Sequence, residues 1–447
     1  MNRTSEYQVY LRKWITLSVI IGIIVGFASL CFFHMLKYLE YFLLKSCLGY
    51  SGWSVERKYL LFLIPPLGGL LSGFIVYKFA PETEGHGTDA VISSFHKMKG
   101  IIRRRVPIVK AIASTLIIGS GGSAGREGPI AQIGAAIGSL SSSLLKLKEE
   151  DRRIMLVCGT AAGIGSIFKA PLGGAVFSVE VLYRRDFETD ALIPSFVSSI
   201  VAYSIFSSFP GLGFGPVLKV PRYEFHHPQL LFFYAVLGIL LGGMSIIYVR
   251  LFYFLKSGFK WLRIPNWIKP GLGGLLLGTL AFFTPSVLGT GYEVLQTAIN
   301  GEMMTRDLLL LGLAKMLATG FTIGSGGSGG VFAPSLFIGG MLGGAFGKLL
   351  STQFEYIEPG AFALVGMASF FSGAAKVPVA SLIIVSEMTG DYQLLAPLML
   401  SCALAYITSS ERWSIYESQV STRAQSPAHI KEYEFFVLER LKRNRGG

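Results

Sequence analysis

Apolar runs of membrane length recur from one end of the chain to the other. They cover residues 14–33, 59–79, 187–208, 229–254, 271–288 and 391–408. Runs of this length with few charges read as bilayer-spanning helices. Two further apolar stretches, 111–145 and 316–350, are interrupted by Gly and Pro. Irregular backbone at membrane depth leaves polar groups without partners, so it is tolerated only where it lines a cavity or is buried in protein. The pattern predicts an all-α polytopic membrane protein with more than a dozen helical segments, several too short to cross alone. The run at 14–33 is too long for the apolar core of a secretory signal and is followed by more spans, so it reads as a retained first helix.

The interrupted stretches are copies of each other. KAIASTLIIGSGGSAGREGP at 110–129 and KMLATGFTIGSGGSGGVFAP at 315–334 align without a gap at an offset of 205, with 10 of 20 positions identical. Lys169-Ala170-Pro171 is followed nine residues after its Pro by Glu180, and Lys376-Val377-Pro378 is followed at the same distance by Glu387. Chance does not supply four such features in the same order, so the chain reads as an internal duplication. The halves are 1–225 and 226–447, joined by the polar stretch Pro221–Pro228. Matching interruptions in two halves point to a transport site in carriers built from inverted repeats. The recurrence of Lys169, Glu180, Lys376 and Glu387 as a set points to architecture rather than chemistry, with solvent-facing half-helix ends the plain reading.

Pro129 and Pro334 read as the first residues of new helices. The amides of Glu127 and Gly128, and those of Val331 and Phe332, then stand free at helix N-termini. Such termini carry partial positive charge and orphan donors, which favour an anion. Several weak donors suit permeation better than a fixed cation, which would hold the ion too tightly. Glu127 is the odd member, because a carboxylate in such a pathway is expensive and functional by default. It can occupy the place of the permeant anion and be released by protonation. The alternative is a structural pairing with Arg126 or a helix cap.

The 40 Lys and Arg against 27 Asp and Glu give a net charge of +13. The positives cluster beside spans: Arg3, Arg12 and Lys13; Lys97, Lys99, Arg103, Arg104, Arg105 and Lys110; Lys431, Arg440, Lys442, Arg443 and Arg445. That distribution fits the cytoplasmic side of a membrane with both termini inside, and excludes nucleic acid as the reason for the charge. The last group reads as a solvated basic end near anionic lipid. Fewer than 40 residues follow the last apolar run, so no soluble regulatory domain is expected. Cys31, Cys47, Cys158 and Cys402 are scattered without metal or disulfide spacing and read as small core residues. The glycines at 119–125 lack the Lys-Ser/Thr and βαβ context of a phosphate loop, and the serines lack a His partner. The chain is not read as an enzyme, and no cofactor or metal is expected.

Gly125-Arg126-Glu127-Gly128-Pro129 and Gly330-Val331-Phe332-Ala333-Pro334 resemble the GREGP and GxFxP signatures of the CLC chloride channel and transporter family. Phe168–Gly174 resembles the family's following helix start, and Glu387–Tyr392 its EMTxxY stretch. The resemblance covers nearly the whole chain in order. It implies two inverted-topology repeats with many broken and tilted helices, and a homodimer in which each subunit has its own pathway for chloride or similar small anions. It implies a bound chloride held by the amides of Val331 and Phe332 and by the hydroxyl of Tyr416, with Glu127 as the external gate. Gly85-His86-Gly87-Thr88-Asp89 departs from the GSGIP pattern, placing His86 where a serine often faces the ion. His86 is therefore either a ligand or turned away while the loop backbone does the work, and Asp89 reads as a cap of the next helix. Val181 stands where proton-coupled members usually carry the second of two glutamates after Glu180. Because Val carries no proton, the sequence favours passive chloride conduction in the plasma membrane over H+/Cl− exchange. A broken-helix secondary carrier for another anion is the competitor from a different class, and the fluoride-specific branch is disfavoured by the Pro129-type ending.

Overall fold

The structure is a computed structural model and describes residues 3–223, 225 and 227–430. The basic group Lys431–Arg445, and Glu224 and His226 of the linking stretch, lie outside the described residues. Among the described residues there are sixteen α-helices and no sheet, only isolated bridges. The first eight are α1 (Arg3–Glu40), α2 (Ile64–Phe79), α3 (Gly87–Lys97), α4 (Val106–Gly119), α5 (Glu127–Leu144), α6 (Glu149–Phe168), α7 (Pro171–Glu180) and α8 (Leu192–Ser207). The second eight repeat them in order: α9 (Leu230–Trp261), α10 (Lys269–Phe283), α11 (Tyr292–Ile299), α12 (Thr305–Gly324), α13 (Phe332–Ser351), α14 (Pro359–Ala375), α15 (Pro378–Thr389) and α16 (Leu395–Thr408).

The repeated residues make repeated contacts. Glu180 at the end of α7 accepts from the amides of Val379 (3.1 Å) and Ala380 (2.6 Å) at the start of α15. Glu387 near the end of α15 accepts from Leu172 (3.2 Å) and Gly173 (2.7 Å) at the start of α7. Each carboxylate caps the other helix, so α7 and α15 run antiparallel and the halves are related by a pseudo-twofold axis. The orphan amides and positive end of each helix account for the choice of Glu. These acids serve architecture, but not as solvent-facing ends: Glu180 is buried. Lys169 and Lys376 hold left-handed backbone at the ends of α6 and α14 (φ 54° and 61°). Lys169 Nζ donates to the Leu212 carbonyl at 2.6 Å and Lys376 Nζ to Ser409 Oγ.

Helices approach closely at paired glycines. A Cβ on Gly134 of α5 would lie 2.1 Å from the Gly159 carbonyl oxygen of α6, and one on Gly339 of α13 would lie 2.3 Å from that of Gly366 in α14. Small residues at these crossings let backbones pack where lipid supplies no hydrophobic drive between helices.

Among the described residues six helical stretches are long and apolar enough to cross a membrane: Arg12–Cys47, Lys58–Phe79, Thr189–Ser207, Leu230–Trp261, Thr305–Gly324 and Phe332–Ser351. Two expectations change here. The run at 271–288 is a 15-residue helix that stops before Pro285, and the run at 391–408 yields only the 14-residue α16 after the turn at Gly390 (φ 69°). Conversely, the second interrupted stretch contributes two full helices of 20 residues, with Gly326, Gly327, Gly329 and Gly330 in the break between them. Cys158 and Cys402 are core residues as expected, whereas Cys31 is exposed and Cys47 partly so.

Candidate functional site

The glycine breaks after α4 and α12 meet at the pseudo-twofold axis. Gly121 and Gly326 turn both chains with φ near 100°. The Gly125 amide then donates to the Gly330 carbonyl at 2.8 Å, and the Gly330 amide to the Gly125 carbonyl at 2.7 Å. Ser114 meets Ser328 at 3.0 Å, and Ser123 meets Thr319 at 3.3 Å. The breaks satisfy each other, as backbone at membrane depth requires.

From this junction α5 and α13 depart. They begin at Glu127 and Phe332, two residues before Pro129 and Pro334, which occupy the third helical position rather than the first. The first i→i−4 bonds come from Ile130 and Ser335, so each Pro falls where its missing N–H loses nothing. The free donors accordingly reach Gly128 in α5 and Ala333 in α13. The start of α3 joins them: a Cβ on Gly128 would stand 3.0 Å from Gly330 Cα and 3.5 Å from the Gly87 nitrogen.

Glu127 lies at the centre of this convergence and is 1% exposed. Its Oε1 accepts from the Tyr292 hydroxyl at 2.8 Å, while Oε2 has no hydrogen-bond partner among the described residues. A Cβ on Gly125 would lie 2.0 Å from Oε2 and 3.1 Å from the Ala333 nitrogen. The carboxylate thus fills the space a side chain at 125 would take, beside the first amides of α13. Arg126 does not form an ion pair with it. Its guanidinium lies over the Phe33 and Tyr292 rings at 5.2 and 5.6 Å.

Cavities approach from both sides. One, of about 640 Å³, is lined by Gly85, His86, Asp89, Phe252, Lys256, Ser418 and neighbours. His86 is the N-cap of α3, with its ring 5.4 Å from that of Tyr416 and its Nδ1 without a partner among the described residues. Asp89 does not cap α3. It is the helix's third residue and accepts from the Ser418 amide (2.8 Å) and hydroxyl (2.9 Å), which ties down the segment carrying Tyr416. Tyr416 itself is buried. The second cavity, of about 200 Å³, is lined by Glu40, Lys45, Tyr50, Gly291, Tyr292 and Glu293. Helix α1 continues into a π-helical turn, Tyr41–Cys47, that brings Lys45 there.

Lys110 departs from the sequence reading. It is fully buried rather than part of an exposed basic cluster, and donates to the carbonyls of Thr83 (3.0 Å) and Gly85 (2.8 Å). Lys315, its counterpart, donates to Val287 (2.9 Å) and Gly289 (2.8 Å). Both lysines head the repeated segments, a signal that identified the pair without its role. Val181, just past α7, is buried, and its carbonyl accepts from Gln419 Nε2 at 2.9 Å. Tyr292 escaped the sequence reading. Its signal was a further repeat at offset 204, Gly85-His86-Gly87-Thr88-Asp89 against Gly289-Thr290-Gly291-Tyr292-Glu293.

Fold and site together define a class: a helical membrane protein of two inverted repeats whose broken helices converge on one buried carboxylate between two cavities. The chain belongs to the voltage-gated chloride channel family, which it matches over residues 68–410. A protein of Ralstonia nicotianae whose name describes a ClcB-like chloride channel is 31% identical, covering 87% of this chain and 92% of its own. The H(+)/Cl(−) exchange transporter ClcA of Yersinia pestis is 29% identical, covering 86% and 82%. The same-named protein of Vibrio parahaemolyticus is 31% identical, covering 78% and 76%. Among solved structures, a slow cyanobacterial Cl−/H+ antiporter superposes with a TM-score of 0.79 at 24% identity, covering 89% of this chain and 94% of that one. A CLC-type fluoride/proton antiporter gives 0.79 at 25%, covering 92% and 98%.

Proposed function

We propose that this protein exchanges chloride for protons across a membrane, with repeats 1–225 and 226–447 forming one pathway per subunit of a homodimer. Glu127 is the gate and proton acceptor in this reading. The observation that carries it is the Glu127 carboxylate, buried against the N-termini of α5 and α13 between the two cavities. A side chain that is itself an anion occupies the place where free amides favour one, and protonation removes the reason for it to stay. The cavity at His86 opens to the cytoplasm and the cavity at Tyr292 to the outside, with both termini inside. Chloride is held by the amides at Gly128, Val331 and Phe332 and by Tyr416, with His86 on the inner approach.

Exchange replaces passive conduction as the leading reading because most of the relatives compared above are named as H(+)/Cl(−) exchangers. Passive conduction keeps one specific support, the buried and untitratable Val181 on the inner side of the gate. The test is reconstitution in liposomes under opposed chloride and pH gradients, with pH followed separately. A reversal potential displaced by the pH gradient, with protons moved uphill by chloride, supports exchange. A potential that follows chloride alone overturns it in favour of the channel.

A further inference from the structure

We propose that Tyr292 is the latch of the Glu127 gate: its hydroxyl holds the carboxylate in the closed position and so sets the acidity at which the pathway opens. The inference rests on the reading of Glu127 as the gate and adds the residue that controls it.

The Tyr292 hydroxyl donates to Glu127 Oε1 at 2.8 Å across 165 residues of sequence. Oε2 has no partner among the described residues, so this bond is the side-chain contact that fixes the carboxylate. Tyr292 is the first residue of α11, directly after Gly291 at φ 81°, and lines the outer cavity with Glu40, Lys45 and Glu293. Its ring packs under the Arg126 guanidinium, so the phenol is held from behind as well as at its tip. The loop it belongs to repeats the inner loop 85–89, and the two are held alike, by Lys315 on Gly289 and Lys110 on Gly85. The pseudo-twofold therefore places one such loop at each mouth, His86 on the inner and Tyr292 on the outer.

A hydroxyl that donates to the charged form of a carboxyl favours that form, so the bond delays protonation and release. The charged and titratable groups around this position are Arg126 beside it, Lys315 near Gly291, and Glu40, Lys45 and Glu293 on the outer cavity, with His86 and Tyr416 on the inner side. Tyr292→Phe leaves all of them in place and removes only the hydroxyl.

The experiment is chloride flux in liposomes as a function of external pH for the wild type, Tyr292→Phe, Glu127→Gln and the double variant. Tyr292→Phe is expected to move the midpoint of acid activation to higher pH by about one unit, the size of a hydrogen bond to a charged group partly replaced by water. In the Glu127→Gln background the same change is expected to do nothing. Incorporation of 3-fluorotyrosine at 292 keeps the ring and strengthens the donor. It should move the midpoint the other way, and it tests the latch if the Phe variant is unstable. An unmoved midpoint in Tyr292→Phe or the fluorinated protein, alongside a flat Glu127→Gln profile, overturns the latch and leaves the gate standing. A Glu127→Gln profile that keeps the wild-type acid dependence overturns the gate reading itself.

Discussion

The two glycine breaks have nearly the same backbone and opposite side chains. Gly125 and Gly330 exchange hydrogen bonds as equals, and α5 and α13 begin at equivalent residues. Yet the first helical residue is Glu127 in one half and Phe332 in the other. Phe332 packs on the rings of Phe371 at 4.2 Å, Phe168 at 4.5 Å and Phe177 at 6.1 Å. Glu127 has Gly125 beneath it and one tyrosine hydroxyl. Symmetric residues build the crossing, and on the proposed reading of Glu127 as the gate the residues that break the symmetry make one half a moving part and the other a wall.

The sharpest way to break this comparison is to exchange the roles. If one protonation opens the pathway, the open fraction falls about tenfold per pH unit above its midpoint. Glu127→Gln should abolish that slope, measured as chloride flux from liposomes across a pH series. Phe332→Ala should instead cost about 3–5 kcal/mol of stability, read from thermal unfolding in detergent, and leave the acid slope in place. A lost slope in the Phe332 variant would show that the wall takes part in gating.

The glycines supply a second contrast. In Gly125→Ala the new methyl would meet Glu127 Oε2 at 2.0 Å, a flexible side-chain tip that can move. In Gly330→Ala it would meet the Gly125 carbonyl oxygen at 2.8 Å and the Gly128 nitrogen at 2.9 Å, which are backbone. Gly125→Ala is therefore expected to evict the carboxylate and raise flux at neutral pH. Gly330→Ala is expected to lower the melting temperature, with overpacking costing about 1–3 kcal/mol. Equal effects of the two on flux would mean that Glu127 does not rest over Gly125.

Where the halves agree, mutations should agree. Glu180→Ala and Glu387→Ala each remove a carboxylate from two helix-start amides, and hydrogen bonds to a charged group contribute about 1.5–3 kcal/mol. The loss should be larger at Glu180, which is buried, than at Glu387, which is partly exposed. Thermal melts of the two variants decide it.

The same division governs what the sequence made legible. Repetition could be read directly: the paired GSGGS breaks, the Pro pairs and the Lys–Glu sets located the crossing, and the asymmetric Glu127 stood out against it. Relations between distant residues could not. Nothing in periodicity joins Tyr292 to Glu127, sends Lys110 inward to two carbonyls, or attaches Asp89 to Ser418 rather than to its own helix. Helix ends were misplaced for a local reason. A Pro can occupy any position of the first turn, so Pro129 and Pro334 bounded the helix starts without fixing them. Val181 carries no titratable proton, yet proton passage depends also on water and on neighbouring groups, which a single position does not encode.

The smallest expected effect lies at the mouth lined by His86, and it tests whether the proposed anion site is shared between amides and side chains. Tyr416 is buried, with its ring 5.4 Å from that of His86, and its segment is anchored by Asp89 on Ser418 and by the Ile415 amide on the Ala374 carbonyl at 2.8 Å. Those anchors do not involve its hydroxyl, so Tyr416→Phe should leave the fold intact and remove one donor. The neighbouring cavity is wide enough for water to take the donor's place, and a bridging water recovers most of a direct hydrogen bond. Chloride affinity by calorimetry should therefore fall by about 1 kcal/mol, roughly fivefold, well short of abolition. In the proposed site the helix-start amides, which no side-chain substitution removes, would account for the affinity that remains. A loss of a hundredfold or more would place the site at the tyrosine instead of the helix starts, and unchanged affinity would take Tyr416 out of the coordination altogether.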